Sequence, residues 1–307
     1  MTTLNKRSNR IHKTKLSFQY FIAVFLVWMG SAAMVRAQEG PYFVTYDQHM
    51  EEPGNLEVEF EPTTAKPQGG DRFLSGLTEF EYGTAAWWTT EFYLEGQMTR
   101  NENTIFTGFR VENRFHILPS VHWINPVLYL EYEDTAADKA LKEVVGFDSQ
   151  DDSLVPNGIA RRNIEREVET KLIFGSDYKG WNISENLIGE KNLAGDPWEF
   201  GYAFGVNRPL ALAASSEACN FCRENFRAGI EFYGGLGTSK IFTLNQTSQY
   251  AAPVVAWNLP DGMTLRVSPG FGLTHDAYGF LLRLGVSYEF EGFGRKVQLL
   301  FHSRRDQ

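Results

Sequence analysis

The sequence predicts an all-β chain of about twelve antiparallel strands, within a range of ten to fourteen, that closes on itself as a barrel. Two observations carry this. Long segments alternate apolar and polar residues, and aromatic residues (14%) and 28 glycines are spread along the 307 positions. Strict alternation is the period of a half-buried strand, whose side chains point to opposite faces. The stretch "YGFLLRLGVSYEF" (278–290) has it most fully. Its even row, from Tyr278 through Phe280, Leu282, Leu284, Val286 and Tyr288 to Phe290, is apolar throughout, and its odd row is small or charged apart from Leu281.

The chain opens differently. Lys6, Arg7, Arg10, Lys13 and Lys15 precede the apolar run 20–29, and Val35-Arg36-Ala37 follows. A basic head, an apolar core too short to span a bilayer and a small-x-small site make a secretory signal, with cleavage expected between Ala37 and Gln38. Residues 1–37 hold six basic residues and no acid, so removing them takes the net charge from −9 to −15. An acidic product of this kind excludes nucleic acid as a partner, because phosphate binding needs a basic face.

The alternation then recurs along the chain, over 55–61, 72–83, 86–99, 104–117, 126–134, 162–176, 180–189, 197–207, 225–238, 249–258, 262–273 and 278–290. In 55–61 Leu56, Val58 and Phe60 oppose Glu57, Glu59 and Glu61. In 86–99 Trp88, Thr90, Phe92 and Leu94 oppose Thr89, Glu91, Tyr93 and Glu95. A hairpin centred on Asn101-Glu102 pairs Leu94 with Phe109, Phe92 with Val111 and Trp88 with Phe115 on the apolar face, and Tyr93 with Arg110 on the polar one. A slip of one residue would destroy both matches. The longest connection, 135–161, contains "ADKALKEVV", which reads as a short helix, and 208–224 is a second long connection.

Strand length selects the environment. Thirteen residues at ~3.3 Å each, tilted by about 45°, project to roughly 30 Å, the thickness of a bilayer core. Soluble strands usually have about five or six residues. Aromatic residues at both ends of the 278–290 row match the girdles of a membrane barrel. On this pattern, residues 55–290 resemble the porin-like β-barrels of Gram-negative outer membranes. The resemblance implies a transmembrane antiparallel β-barrel in the outer membrane, with outer-membrane lipid, periplasmic chaperones and the barrel-insertion machinery as partners, and small solutes if it conducts. It implies that Phe290 is the terminal phenylalanine of the last strand. Residues 38–54 then form an N-terminal periplasmic segment, and 291–307 a polar tail or, through "VQLLF" ending at Phe301, an extra short strand.

The polar faces supply the candidate site: Glu91, Glu95, Glu112, Glu131, Glu165, Glu167, Glu169 and Glu231 with Arg110, Arg114, Lys171, Arg227, Arg266 and Arg283. Lining a water-filled pore, such charges set solute selectivity. Paired with one another, they fill the interior of a structural or surface-interaction barrel. Twelve strands lie between the filled eight-stranded and the open sixteen-stranded cases, so both readings stand, with a passive channel or solute-uptake porin preferred. A barrel hydrolase would centre on His275 beside Asp276, with Asp138 or Asp148, but no convergent constellation supports it. A soluble secreted β-protein is the remaining alternative. Cys219 and Cys222, in "CNFC", lack the further ligands of a zinc site and the histidine of a haem site, and a local disulfide is expected in an oxidising compartment. No catalytic residue, metal or cofactor is assigned.

Overall fold

The computed structural model describes residues 40–215 and 219–303, so the expected signal segment and its junction at Ala37–Gln38 lie outside the described residues. Among the described residues twelve strands form: β1 (Leu56–Ala65), β2 (Phe73–Ala85), β3 (Trp88–Thr99), β4 (Ile105–His116), β5 (Asn125–Ala136), β6 (Ile164–Tyr178), β7 (Trp181–Asn192), β8 (Glu199–Pro209), β9 (Phe226–Thr238), β10 (Gln249–Asn258), β11 (Met263–Gly272) and β12 (Phe280–Phe290). Each pairs antiparallel with its neighbours in sequence, and β1 pairs with β12 to close the barrel. Closure leaves no strand edge unpaired.

The β3–β4 hairpin has the register that the sequence predicts through its body, with Leu94 opposite Phe109, Phe92 opposite Val111, Trp88 opposite Phe115 and Tyr93 opposite Arg110. Near the turn the register shifts by one at Glu95/Gly96, so that Gly96 faces Phe106 and Gln97 faces Ile105. Such a bulge leaves one residue unpaired and increases the local twist.

Outward rows are apolar around the wall. In β12, Phe280, Leu284 and Val286 are exposed while Leu281 and Arg283 are buried inside. Aromatic groups gather at both ends of this face. Trp87, Trp88 and Phe115 stack at the end that holds the start of β1 and the finish of β12, called here the near end, and Phe271 meets Phe280 at the far end.

Three expectations are corrected. Residues 40–55 do not lie outside the barrel as a separate periplasmic segment: Tyr42, Val44, Thr45, Asp47 and Gln48 are buried, held by side chains of β4, β7, β9 and β11 inside the lumen. The segment has no strand period because it joins no ladder. Residues 137–145 form no helix. Leu141 adopts a left-handed φ of 53°, which an α-helix of L-residues excludes, and the loop instead turns inward from the far end. The tail is not a strand: Phe293–Ser303 is a helix, its start tied back to the near end by the Gly294 N–H donating to the Gly54 carbonyl at 2.9 Å.

The near-end connection 210–225 is long and carries a disulfide between Cys219 and Cys222. Between the two cysteines, Phe221 lies 4.7 Å from the Trp257 ring, and the Trp257 indole donates to the Asn220 carbonyl at 2.7 Å.

Candidate functional site: a charged lumen filled by two inserted segments

Strand register builds the site. Reading across the wall, Glu289 faces Glu57, which faces Glu81, and the succession continues through Glu91, Glu112, Glu131, Glu169 and Glu190 to Glu199. One inward glutamate from each of β12 and β1 to β8 thus stands directly opposite the next. Because strands in a barrel are staggered, the row climbs from the near end at Glu57 to the far end at Glu199. Like charges directly opposed across a ladder are destabilising, so the row needs cations set against it.

Those cations are present over its middle. Arg114 pairs with Glu81 at 2.5 Å and Glu91 at 2.6 Å. Lys171 pairs with Glu169 at 2.7 Å. Arg110, just above the row, pairs with Glu95, with Glu133 at 2.5 Å and with Asp138 at 3.1 Å. Lys142 is of different origin, because the inserted loop and not the wall supplies it. Its Nζ pairs with Glu112 at 2.9 Å and with Glu131. The Tyr93, Tyr129 and Tyr46 rings surround it, with centroids at 4.1, 5.5 and 5.8 Å. Carboxylates with aromatic faces are a chemistry that recognises an ammonium group.

The N-terminal segment crosses the near half of the lumen. Glu231 accepts the backbone N–H groups of Phe43, Val44 and Thr45 at 3.0, 2.9 and 2.8 Å. Asn186 accepts from the Tyr46 N–H at 2.7 Å and donates to the Tyr46 carbonyl at 2.8 Å, so one side-chain amide replaces a strand partner. The Arg266 guanidinium donates to the Tyr42 carbonyl, and Tyr46 donates its hydroxyl to Glu112 at 3.0 Å. Phe43 and Val44 pack with Tyr233, Tyr250 and Val254 of β9 and β10. Burying such side chains contributes roughly 1.5–3 kcal/mol each. Gly205 of β8 makes room for the Tyr42 ring, which a Cβ there would strike.

At the near-end mouth His49 sits between two carboxylates, Asp47 at 3.0 Å and Asp177 at 3.1 Å. Asp47 raises the imidazolium to about 10, against the opposing effect of burial and with help from Asp177.

The loop 137–163 enters from the far side. Arg283 donates to the Leu141 and Lys142 carbonyls, and Ser75 donates to the Lys139 carbonyl at 2.7 Å. The Gly146 carbonyl accepts from the Gly237 N–H at 3.1 Å, and Gly235 of the "FYGGLG" stretch lets the loop approach the wall closely. Between this loop and β5 to β8 lies a cavity of about 470 Å³. Ten acidic residues line it, among them Glu133, Glu165, Glu167, Glu190 and Asp148, against two basic ones, Arg110 and Lys142.

All fourteen candidate residues of the polar faces lie on inward rows, but they divide among three settings. Glu91, Glu95, Glu112, Glu131, Glu169, Lys171, Arg110, Arg114, Glu231, Arg266 and Arg283 are buried or nearly so and face the inserted segments. Glu165 and Glu167 line the far cavity. Arg227 lies towards the near end on Asn207, at 2.7 Å. The candidate set lacks Glu57, Glu81, Glu190, Glu199 and Glu289, which complete the glutamate row, and Lys142, which reads from sequence as part of a helix.

Two carboxylate triads have oxygens within 4.8 Å of one another, Glu79 with Glu81 and Glu91, and Glu131 with Glu133 and Glu143. Arg114 pairs with two members of the first and Arg110 with all three of the second, so both are already engaged. His275 is exposed at the far rim, where its carbonyl accepts from Gln150 at 2.8 Å. Among the described residues no hydrogen bond or ion pair joins its imidazole to Asp138 or Asp148.

No family model and no curated protein matches the chain in sequence. Among solved structures, it is similar to the KdgM porin, at 8% identity and a TM-score of 0.48, over 76% of this chain and 99% of that one. It is similar to the COG4313 outer membrane channel from Pseudomonas putida F1 at 10% identity and 0.48, over 82% of this chain and 100% of that one. The translocator domain of the autotransporter NalP from Neisseria meningitidis follows at 12% identity and 0.39, over 79% and 90%. The likeness extends to barrel architecture only.

Proposed function

We propose that this chain is an outer-membrane β-barrel acting as a passive channel, closed by residues 40–55 and narrowed on its far side by the loop 137–163. Small solutes and outer-membrane lipid are its partners. The outward rows meet hydrocarbon and the inward charges meet water and solute. The observation that carries the reading is how the N-terminal segment is held. It contributes no strand to the wall, and its backbone is bound by side chains such as Glu231 and Asn186. The barrel ladder is complete without it, so it can leave the lumen without opening the wall. Selectivity for small solutes then rests on the inward charges, which the same side chains present once the segment moves.

One observation favours a second reading, a non-conducting barrel with a structural or surface-interaction role: ion pairs cross the middle of the lumen, Arg114 on Glu81 and Glu91 and Lys142 on Glu112 and Glu131. A hydrolase centred on His275 has no comparable support. Planar-bilayer recording of the refolded chain from Gln38 onward separates the first two readings, with heat-modifiable gel mobility as the folding control. The channel reading expects infrequent discrete steps whose ion preference changes when Glu167 is replaced by Lys. A folded protein that stays silent under every condition, including disruption of the Glu231 contacts, favours the structural barrel.

A further inference from the structure

The far-end cavity carries a group that the closed channel does not use. Glu190 is buried, with 8% of its surface accessible, and lines that cavity. Among the described residues its carboxyl meets no hydrogen-bond donor and no basic group. Its partners across the ladder, Glu169 and Glu199, are carboxylates, and Glu143, Asp148 and Glu167 line the cavity with it. An ionised carboxylate so placed is costly without a counter-charge, and the wall supplies none. The neighbouring part of the same glutamate row has its cations built in, Lys171 on Glu169 and Lys142 on Glu112 and Glu131.

We propose that this cavity is a binding site for a small organic cation with at least two ammonium groups, and that Lys142 is a tethered stand-in for one of them. The inference rests on the channel reading only for the side of the membrane to which the cavity opens. Two features distinguish an organic cation from a metal ion. The triads whose oxygens come within 4.8 Å of one another do not include Glu190, whereas a hard divalent cation gathers six to eight oxygens at about 2.3–2.6 Å. A volume of about 470 Å³ suits a molecule of several heavy atoms.

The floor of the cavity adds the second position. Lys142 lines it and places its ammonium in the Tyr46–Tyr93–Tyr129 cage over Glu112 and Glu131. A diamine or triamine anchored at Glu190 and Glu167 meets the cage where Lys142, which lines both this cavity and the neighbouring pocket of Tyr46 and Tyr93, separates the two. When the loop lifts, the solute's ammonium replaces the lysine's in like chemistry. Lys142 thus acts as an internal competitor that holds the loop down when no solute is bound.

The test is calorimetric titration of the refolded, detergent-solubilised chain with spermidine, and with butylamine as the one-ammonium comparison. Saturable binding of spermidine is expected, at least about tenfold tighter than butylamine, as one further charge-assisted contact implies. Glu190→Gln removes an unpaired charge, so it folds, and it weakens spermidine binding about tenfold. Lys142→Met vacates the cage and strengthens binding. Absence of saturable heat, equal affinity in Glu190→Gln, or Mg²⁺ binding as tightly and displacing spermidine would each overturn the proposal. Calorimetry does not depend on ion flow, so a failure here leaves the channel reading untouched, and a silent bilayer leaves this one untouched.

Discussion

The two sides of the lumen differ. From β2 to β6 the inward rows carry glutamates, arginines and lysines joined in ion pairs, and inserted side chains meet them through charge. From β8 to β12 the inward rows are mostly small or aromatic, with Ala203, Tyr233, Tyr250, Ala252, Val254 and Leu281 forming one apolar cluster with Phe43, Val44 and Val144. The inserted segments therefore lean on the apolar side, where close packing holds them, and present their polar groups to the charged side. Charged groups recur on this side too: Arg266 and Arg283 donate to backbone carbonyls of the inserted segments, and Glu231 takes up three backbone N–H groups. On the proposed channel reading, a lumen divided in this way keeps a charged route along one side and packs the inserted segments against the other.

The largest effect is expected on the charged side. Arg114→Met leaves Glu81 and Glu91 without their shared cation, and breaking a buried pair costs about 3–5 kcal/mol, read as loss of resistance to denaturant in the folded, heat-modifiable form. The outward face common to both sides comes next: Leu284→Arg at the middle of β12 should cost about 2–4 kcal/mol at the bilayer midplane, measured by reversible unfolding in lipid. On the apolar side, Glu231→Gln removes a charged acceptor from three N–H groups, and about 1–3 kcal/mol of the segment's hold should be lost. Channel openings become more frequent while the denaturation of the barrel itself is unchanged.

The smallest effect concerns pH. A histidine raised to about 10 by Asp47 contributes a hold that is complete below its unfolded value of about 6.5 and is lost as pH rises through about 10. Openings should therefore increase between about pH 6.5 and pH 10, and His49→Gln should flatten that profile.

Much of the wall was legible because alternation and hairpin register are local. The Trp88–Phe115 to Leu94–Phe109 pairing followed from one turn placement, and only the bulge at Glu95/Gly96 escaped, since an extra residue leaves no mark in the pattern. Strand β10 has the expected bounds, 249–258, although Tyr250, Ala252 and Val254 inside and Ala251, Pro253 and Val255 outside are apolar on both faces. The filling of the lumen was not legible. Residues 40–55 satisfy their backbone through Glu231 and Asn186, some 140 or more positions away, and such partners leave no period in the segment itself. The helix read in 137–145 fails for a related reason: Lys139 and Lys142 are drawn inward by Thr99 and Glu112, and Leu141 turns left-handed to allow it. The glutamate row appears only when all eight registers are laid side by side.

The central claim is that residues 40–55 close a lumen that is otherwise a conducting path. Its most direct test is planar-bilayer recording of the refolded chain with residues 40–52 deleted, beside the undeleted chain. The account expects the deleted form to keep its heat-modifiable mobility and to show frequent discrete steps with cation preference, since the acidic row then faces open water. A deleted form that folds, inserts and remains silent would contradict it, and the barrel would then be a filled structural element of the membrane.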